Sequence, residues 1–330
     1  MKYVEVVADA GSTDTVSVIA EKSKVEDLRF GPVDGDGMRQ IRMLVPDDAL
    51  QSVLDRLQSV LGAQPTARIL VMALEVALPK PDGDRRERET SAGASREALY
   101  EGVEKSTRLD LNFLVLVVLS TLVAAIGMIE NNVAVVIGAM VIAPLLGPNL
   151  ALGLGTALGD IALVKQAAVT LLAGILLSVV LSAGIALLIP GDLSSPELLA
   201  RTKVGLDSVA LALASGAAAA LSLTTGLPSV LVGVMVAVAL LPPAATLGIM
   251  LGQGQIGHAV GATLLLAVNI VSVNLATKLV FLAKRIGPRT GIEKDRARRE
   301  TVVYIAGWVL TLGALVAVIL ARRSFEQFAF

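Results

Sequence analysis

Residues 135–161 read VVIGAMVIAPLLGPNLALGLGTALGDI, and residues 230–256 read VLVGVMVAVALLPPAATLGIMLGQGQI. Laid over each other at an offset of 95, the two stretches agree at 11 of 27 positions without a gap. Shared Leu and Val carry little weight between two apolar strings. Pro148 with Pro243, and Gly138, Gly153 and Gly159 with Gly233, Gly248 and Gly254, weigh more. The pattern indicates a duplicated segment. Its offset spans three apolar segments, an odd number, so the second copy is expected upside down relative to the first. Inverted repeats with interrupted helices are a recurrent plan of secondary transporters, with the binding site between the copies near the membrane midplane.

Around these copies lie seven apolar segments: 111–129, 133–158, 167–189, 208–223, 230–251, 259–282 and 302–320. The fourth is short for a span, so it either extends through Thr224-Thr225 or is only partly inserted. Of 330 residues, 54% are hydrophobic, 17% charged and 3% aromatic. The charges are unevenly spread. Residues 1–108 hold 15 Lys and Arg with 19 Asp and Glu, 109–282 hold 4 and 6, and 283–330 hold 9 and 4. From Ser208 to Thr277 no formal charge occurs in 70 residues, against the roughly 20 apolar residues that cross a bilayer. A soluble enzyme is excluded. Helices are required because hydrocarbon offers backbone groups no partners, and the continuous runs lack the alternation of barrel strands. A net charge of −1 and few aromatic rings argue against a nucleic-acid partner. Without cysteine there is no disulfide and no thiolate site.

Orientation follows Lys and Arg near the span ends. Lys105 and Arg108 precede the first segment, and Lys284, Arg285, Arg289, Lys294, Arg296, Arg298 and Arg299 lie in the basic loop 283–301. Both flanks are expected in the cytosol, with six crossings between them and a last helix in 302–330. The domains are then 1–78, a linker and amphipathic segment 79–108, repeat 1 over 109–205, repeat 2 over 206–282, the basic loop and the last helix. The acidic N-terminus does not read as a signal peptide. The expected location is a prokaryotic cytoplasmic membrane.

Residues 1–78 read as two copies of strand, helix, strand, the βαββαβ order of a ferredoxin-like α+β domain. Strands are expected over 4–8, 25–30 (ending at Gly31-Pro32), 38–45 and 67–78. Helices are expected over 13–22 and from Pro46-Asp47-Asp48 to Gly62, the second with Leu50, Val53, Leu54, Leu57 and Leu61 on its apolar face. The alternation of 38–45 reads as an edge-exposed strand. Such a domain could regulate or could merely aid assembly. Residues 95–108 read as an amphipathic helix, lying on the membrane or serving as a solvated connector, with Leu99 and Val103 inward.

Each copy breaks its middle helix at proline: Pro144 and Pro148 around Gly147 in the first, Pro242 and Pro243 in the second. Carbonyls freed there could hold cations, and the following half-helix N-termini could hold anions. A kink satisfied by neighbouring helices is the plainer reading. Asn149 follows the first break, and Asn269, Asn274 and Lys278 lie in the sixth segment. The amides could join helices or meet a solute. Lys278 could snorkel to the surface. Small-residue stripes, Ala151, Gly155 and Gly159, then Gly248 and Gly252, suit close helix packing. Asn132 and Asp160 read as helix caps. His258, the sole histidine, reads as a loop residue, so neither metal nor His catalysis is supported.

The run 131–148, NNVAVVIGAMVIAPLLGP, resembles the signature of a prokaryotic membrane family called the uncharacterised hydrophobic domain, domain of unknown function 389, and 232–243, VGVMVAVALLPP, resembles its second signature. The resemblance covers about 106–282 and implies a bacterial or archaeal membrane protein. The expected function is a channel or transporter for a small solute, most readily an anion because half-helix N-termini and Lys278 are the positive features available, while the lack of a mid-membrane carboxylate argues against proton coupling. The expected pore or solute residues are Pro144, Gly147, Pro148, Asn149, Pro242, Pro243, Asn269, Asn274 and Lys278. No cofactor, metal or enzymatic activity is expected. Membrane lipids, a small solute or ion and further copies of the chain are the expected partners. The alternative is a membrane-anchored sensor or scaffold.

Overall fold

A computed structural model describes residues 1–23, 25–74, 96–189, 195–225, 240–284, 286 and 305–322. The expected linker, the end of the fourth strand beyond residue 74, the first two thirds of the second signature and nearly all of the basic loop lie outside the described residues. The chain forms two compact units, Met1–Ala98 and Leu99–Phe330.

The first unit runs β1 (Lys2–Asp9), α1 (Thr13–Lys22), β2 (Asp27–Val33), β3 (Met38–Val45), α2 (Asp47–Leu61) and β4 (Arg68–Ala73). Its sheet is antiparallel with strand order β2-β3-β1-β4. Alternation decides the layers. Val4, Val6 and Ala8 of β1 and Ile41, Met43 and Val45 of β3 are buried in one cluster with Val16 and Ile19 of α1 and the five apolar residues of α2. Two expectations need correction. Strand β2 continues through Gly31-Pro32, because it is an edge strand whose missing N–H costs no ladder bond, and a register shift between Phe30 and Val33 absorbs the proline. Strand β3 is interior, not an edge; its alternation separates the helix-covered face from the open one.

The second unit is helical: α3 (Arg96–Lys105), α4 (Leu111–Ile129), α5 (Val133–Ile142), α6 (Leu146–Leu158), α7 (Ile161–Leu188), α8 (Pro196–Ala200), α9 (Leu206–Thr225), α10 (Leu241–Gly252), α11 (Ile256–Ala283) and α12 (Ile305–Arg322). Among the described residues, five helices are long and apolar enough to cross a membrane, and six if the bent pair α5 and α6 is one span. The fourth expected segment does extend through Thr224-Thr225, since α9 runs Leu206–Thr225 and has 20 residues.

The helices are apolar outward and small or polar inward. On α7, Val169, Leu172, Leu176 and Val180 are all more than half exposed, while Ala167, Thr170, Gly174, Ser178 and Ser182 are buried. In water such a surface would drive association; in lipid it meets its own kind, and small residues let helices approach. Helix lengths and this distribution are those of a membrane protein.

The chain positions repeat as well. Helices α6 and α10 begin at Leu146 and Leu241, 95 residues apart. Helices α7 and α11 begin at Ile161 and Ile256, again 95 apart, and each has 28 residues. Ahead of each long helix stands a glycine at positive φ, Gly159 at 73° and Gly254 at 70°, where an L side chain would be strained. Each half-helix packs on both long helices: α6 on α7 and α11, α10 on α11 and α7.

Candidate functional site

The break between α5 and α6 is a local consequence of proline. Helix α5 stops at Ile142, Pro144 occupies the turn, and α6 restarts at Leu146, bent by 53°. Pro148 lies in the first turn of α6, where its missing N–H has no helical partner to lose. Pro242 and Pro243 occupy the same place in α10 and are buried. The prolines of the second copy therefore start a helix; the residues before Leu240 lie outside the described set.

At the crossings, one glycine per half-helix meets a hydroxyl residue on the opposite copy's long helix. A Cβ on Gly153 of α6 would stand 2.6 Å from Cγ2 of Thr277 on α11. A Cβ on Gly248 of α10 would overlap the Ser182 hydroxyl and the Val179 carbonyl on α7. Gly153 corresponds to Gly248 and Thr277 to Ser182 at the same offset of 95. Gly216 of α9 closes against α11 as well, with room for a Cβ only 2.7 Å from the Cα of Val273.

Beside the first crossing sits a buried amide pair. Asn149 on α6 is fully buried and Asn274 on α11 is 1% exposed. The Asn274 amide nitrogen donates to Oδ1 of Asn149 and, at 2.9 Å, to the carbonyl of Ile270. The Asn149 nitrogen and the Asn274 oxygen have no hydrogen-bond partner among the described residues. Lys278 follows Asn274 by one turn on the same helix face and is buried at 1% exposure. It does not snorkel, because α11 carries on to Ala283 and the side chain stays inside the bundle. Around them stand Thr277, whose hydroxyl donates to the Gly216 carbonyl at 3.4 Å, and an apolar cluster of Leu150, Ala219 and Val273.

The second crossing lacks this pair. At the same offset, Asn149 corresponds to Ala244, Asn274 to Val179 and Lys278 to Ala183. Its polar content is hydroxyl only: Thr121 donates to Ser178 at 3.1 Å, and Thr246 faces the Met128 sulfur at 3.3 Å.

Helix α3 packs one face against the helical unit. Leu99 and Val103 are buried, Val103 within the main helical core. Its polar contacts and those of the two residues after it reach the α6–α7 turn, α7 and, at Gly147, the first break. Tyr100 donates to Asp160 at 2.7 Å, the Thr170 hydroxyl donates to the Thr107 carbonyl at 2.7 Å, and Gly147 leaves room for Ser106. Asp160 also caps α7 through the Leu163 amide, as Asn132 caps α5 through that of Val135. The hydrogen bond to Asp160, burial and the carboxylate charge push the Tyr100 phenol up to about 12. For an acid raised in the folded state, the stabilisation is complete below its ordinary value near 10 and fades as pH rises through about 12. Tyr100→Phe is expected to lose about 1–2 kcal/mol at pH 8. Thermal unfolding of the two proteins in detergent should converge between pH 10 and 12.

Of the residues expected from sequence, Asn149 and Asn274 meet directly and Lys278 joins their face. Asn269 is buried five residues earlier on α11, turned well away from that face. Gly147 accommodates Ser106 and Pro144 forms the bend. Gly248 and Gly252 do pack closely, against α7, whereas Gly159 ends a helix instead of extending a stripe. His258 lies in the first turn of α11, not in a loop. Thr277 and Gly216 were not anticipated. Among the described residues no group of His, Cys, Asp or Glu could hold a metal.

Residues 140–275 match the family described as Domain of unknown function (DUF389). The chain is also 32% identical over 270 residues to the Uncharacterized protein MJ0678 of the archaeon Methanocaldococcus jannaschii, covering 82% of this chain and 84% of that one. No solved structure matches. That likeness spans most of both chains, and the chain belongs to the DUF389 family.

Proposed function

We propose that this protein is a membrane channel or transporter for a small solute, a small inorganic or organic anion above all, and that solute passes the Asn149–Asn274 crossing. One observation carries the reading. Two corresponding helix crossings share the same glycine-to-hydroxyl contact, yet only one replaces its apolar positions by two amides and a lysine. Packing alone does not require that difference, because Ala244, Val179 and Ala183 fill the same positions at the other crossing. A buried polar group in a membrane is costly without a partner, and this site leaves one amide donor and one amide acceptor for a ligand. The anion preference rests on that donor, on Lys278 and on the positive end of α6. The absence of any Asp or Glu between Asp207 and Asp295 other than Glu293 disfavours proton coupling in the second copy.

The equal lengths of α7 and α11, and the 95-residue offset of α6 from α10 and of α7 from α11, support a duplicated architecture of inverted three-helix units with about seven spans. The strand order supports a ferredoxin-like soluble domain, in our reading cytosolic in a prokaryotic inner membrane. Edge strand β4, with Leu70, Val71 and Met72 exposed, is suited to pairing between copies in a homo-oligomer. We read no enzymatic role into the chain. Protein reconstituted in liposomes should carry at least one anion from a panel of halides, nitrate and small carboxylates; no flux of any of them would end the proposal. Deleting residues 1–78 should leave that flux in place, whereas its complete loss in a folded protein would favour a sensor.

The native chain has no cysteine, so orientation is open to labelling. Ser195 caps α8 and donates to the Met128 carbonyl, so exposed Ala200 is the better reporter for that loop. In intact cells Ala200→Cys is expected to react with an impermeant maleimide and Ala63→Cys to be protected. The reverse pattern would invert the topology.

A further inference from the structure

The correspondence between the copies reaches further back than the breaks. At the same offset of 95, α4 begins at Leu111 and α9 at Leu206. Ala124 and Ala125 of α4 correspond to Ala219 and Ala220 of α9, and all four are fully buried. The contacts repeat with the residues. Thr121 of α4 meets Ser178 of α7, and their counterparts, Gly216 of α9 and Val273 of α11, form the close approach of the second copy. Ahead of each span stands a short helix, α3 or α8, with a buried aliphatic residue at matching positions, Val103 and Leu198. Four residues on comes a buried threonine, Thr107 or Thr202. Each hydroxyl turns back to the carbonyl three residues earlier, Glu104 at 2.7 Å and Leu199 at 2.8 Å. Helix α8 holds the place of α3 in the second copy.

The two short helices stand at opposite ends of α4. Helix α3 leads into its first turn, whereas α8 is fastened at its far end: Ser195 donates to the Met128 carbonyl, and the Glu197 amide donates to Asn131 Oδ1 at 3.0 Å. Each also closes on one of the two helices of the amide crossing. Ser106, just after α3, lies against Gly147 in the first turn of α6, two residues before Asn149, and the Thr202 carbonyl lies against Gly261 of α11. Little apolar surface holds them. The buried aliphatic side chains described are Leu99 and Val103 on α3 and Leu198 on α8, and elements with few such contacts open most readily. Half-helices α6 and α10 each lie across α7 and α11, so rocking one long helix against the other bears on both short helices, in opposite senses at opposite ends. We propose that α3 and α8 are counterpart covers that alternate, one lifting as the other seats, and so open the crossing to one membrane face at a time. Rocking of one repeat against the other around a fixed site is the usual motion of inverted repeats. What the covers admit rests on the transport reading; their alternation is measurable without any solute.

The cysteine-free chain allows single reporters, Thr107→Cys beside α3 and Thr202→Cys beside α8. Their rates of reaction with N-ethylmaleimide are measured on the full-length protein in phosphatidylcholine vesicles. Gly147→Ala places a methyl group 2.5 Å from Ser106 Cβ, and Gly261→Ala places one 2.9 Å from the Thr202 carbonyl carbon. Gly147→Ala is expected to speed the reporter at Thr107 by at least about tenfold, as local opening does. It should slow the reporter at Thr202 by at least about fivefold, the low end of coupling between sites. Gly261→Ala should do the reverse. Adding Ser106→Gly to Gly147→Ala removes the facing side chain and should return both rates to the parent values. Unchanged melting temperatures will show that the variants fold, and Val103→Ala and Leu198→Ala loosen the same helices where a glycine variant does not. A loosened cover that leaves the opposite reporter unchanged, or speeds it as well, overturns the alternation. Reciprocal rates in vesicles that pass neither nitrate nor halide keep the covers and end the transport reading instead.

Discussion

Asn274→Leu is expected to lower anion flux at least tenfold and to destabilise the protein by about 1–3 kcal/mol, because it strands the buried Asn149 amide. Asn149→Leu should do the same from the other side. Together the two substitutions remove both partners and replace them by apolar groups of similar size, which is nearly neutral for stability when a hydrogen-bonded pair is lost as a unit. The cycle therefore separates two roles. If the amides only join α6 to α11, the double variant recovers both stability and flux. If they meet solute, stability recovers and flux does not. Thermal unfolding and liposome flux on the four proteins decide it; recovery of both would reduce the pair to helix glue.

Gly248→Val is expected to be the most damaging single change in the helical unit, costing about 3 kcal/mol or failing to yield folded protein. Even the first carbon of a side chain would run into the Val179 carbonyl and the Ser182 hydroxyl, and carbonyl and helix backbone do not rotate away. Overpacking a well-filled contact costs about 1–3 kcal/mol. The branched side chain adds two more methyl groups against the same wall. Its counterpart Gly153 faces mainly the Thr277 side chain, with the Asn274 carbonyl at 3.8 Å. Gly153→Ala should therefore be milder than Gly248→Ala, even after the gain of about 1 kcal/mol that alanine brings to a helix. Gly138→Ala, with nothing within 4 Å of its Cβ position, should be neutral or stabilising. Melting temperatures in one detergent give the order, and equal losses at Gly138 and Gly248 would contradict the packing argument.

The N-terminal sheet unit was largely legible because its information is local. Alternation placed β3 at 38–45, and the apolar face of α2 was read residue by residue, with Pro46 and Gly62 at its ends. The course of β2 through Gly31-Pro32 was not, since tolerance of proline depends on which strand lies at the edge, a property of the whole sheet. In the helical unit the sequence repeat located the half-helices and the glycines. It could not say that each half-helix also packs on the other copy's long helix, because apolar periodicity carries no partner identity. The docking of α3 was hidden for the same reason: Leu99 and Val103 look alike facing lipid or protein. The site itself was half visible. Asn149, Asn274 and Lys278 stood out as polar residues in apolar runs, but the repeat was read through its identities. Its differences, Asn149 against Ala244 and Asn274 against Val179, are what set the two crossings apart.

The two 28-residue helices have a bearing on bilayer thickness. At 1.5 Å per residue each is about 42 Å long, against about 30 Å of hydrocarbon. The surplus must be taken up by tilt or by turns that rise into the headgroups. Since α6 and α10 lie across both helices, a change of tilt in α7 or α11 shears the crossings where Gly153 and Gly248 make contact. A change in the acyl-chain length of the surrounding membrane is therefore expected to reach the Asn149–Asn274 junction through the tilt of α11.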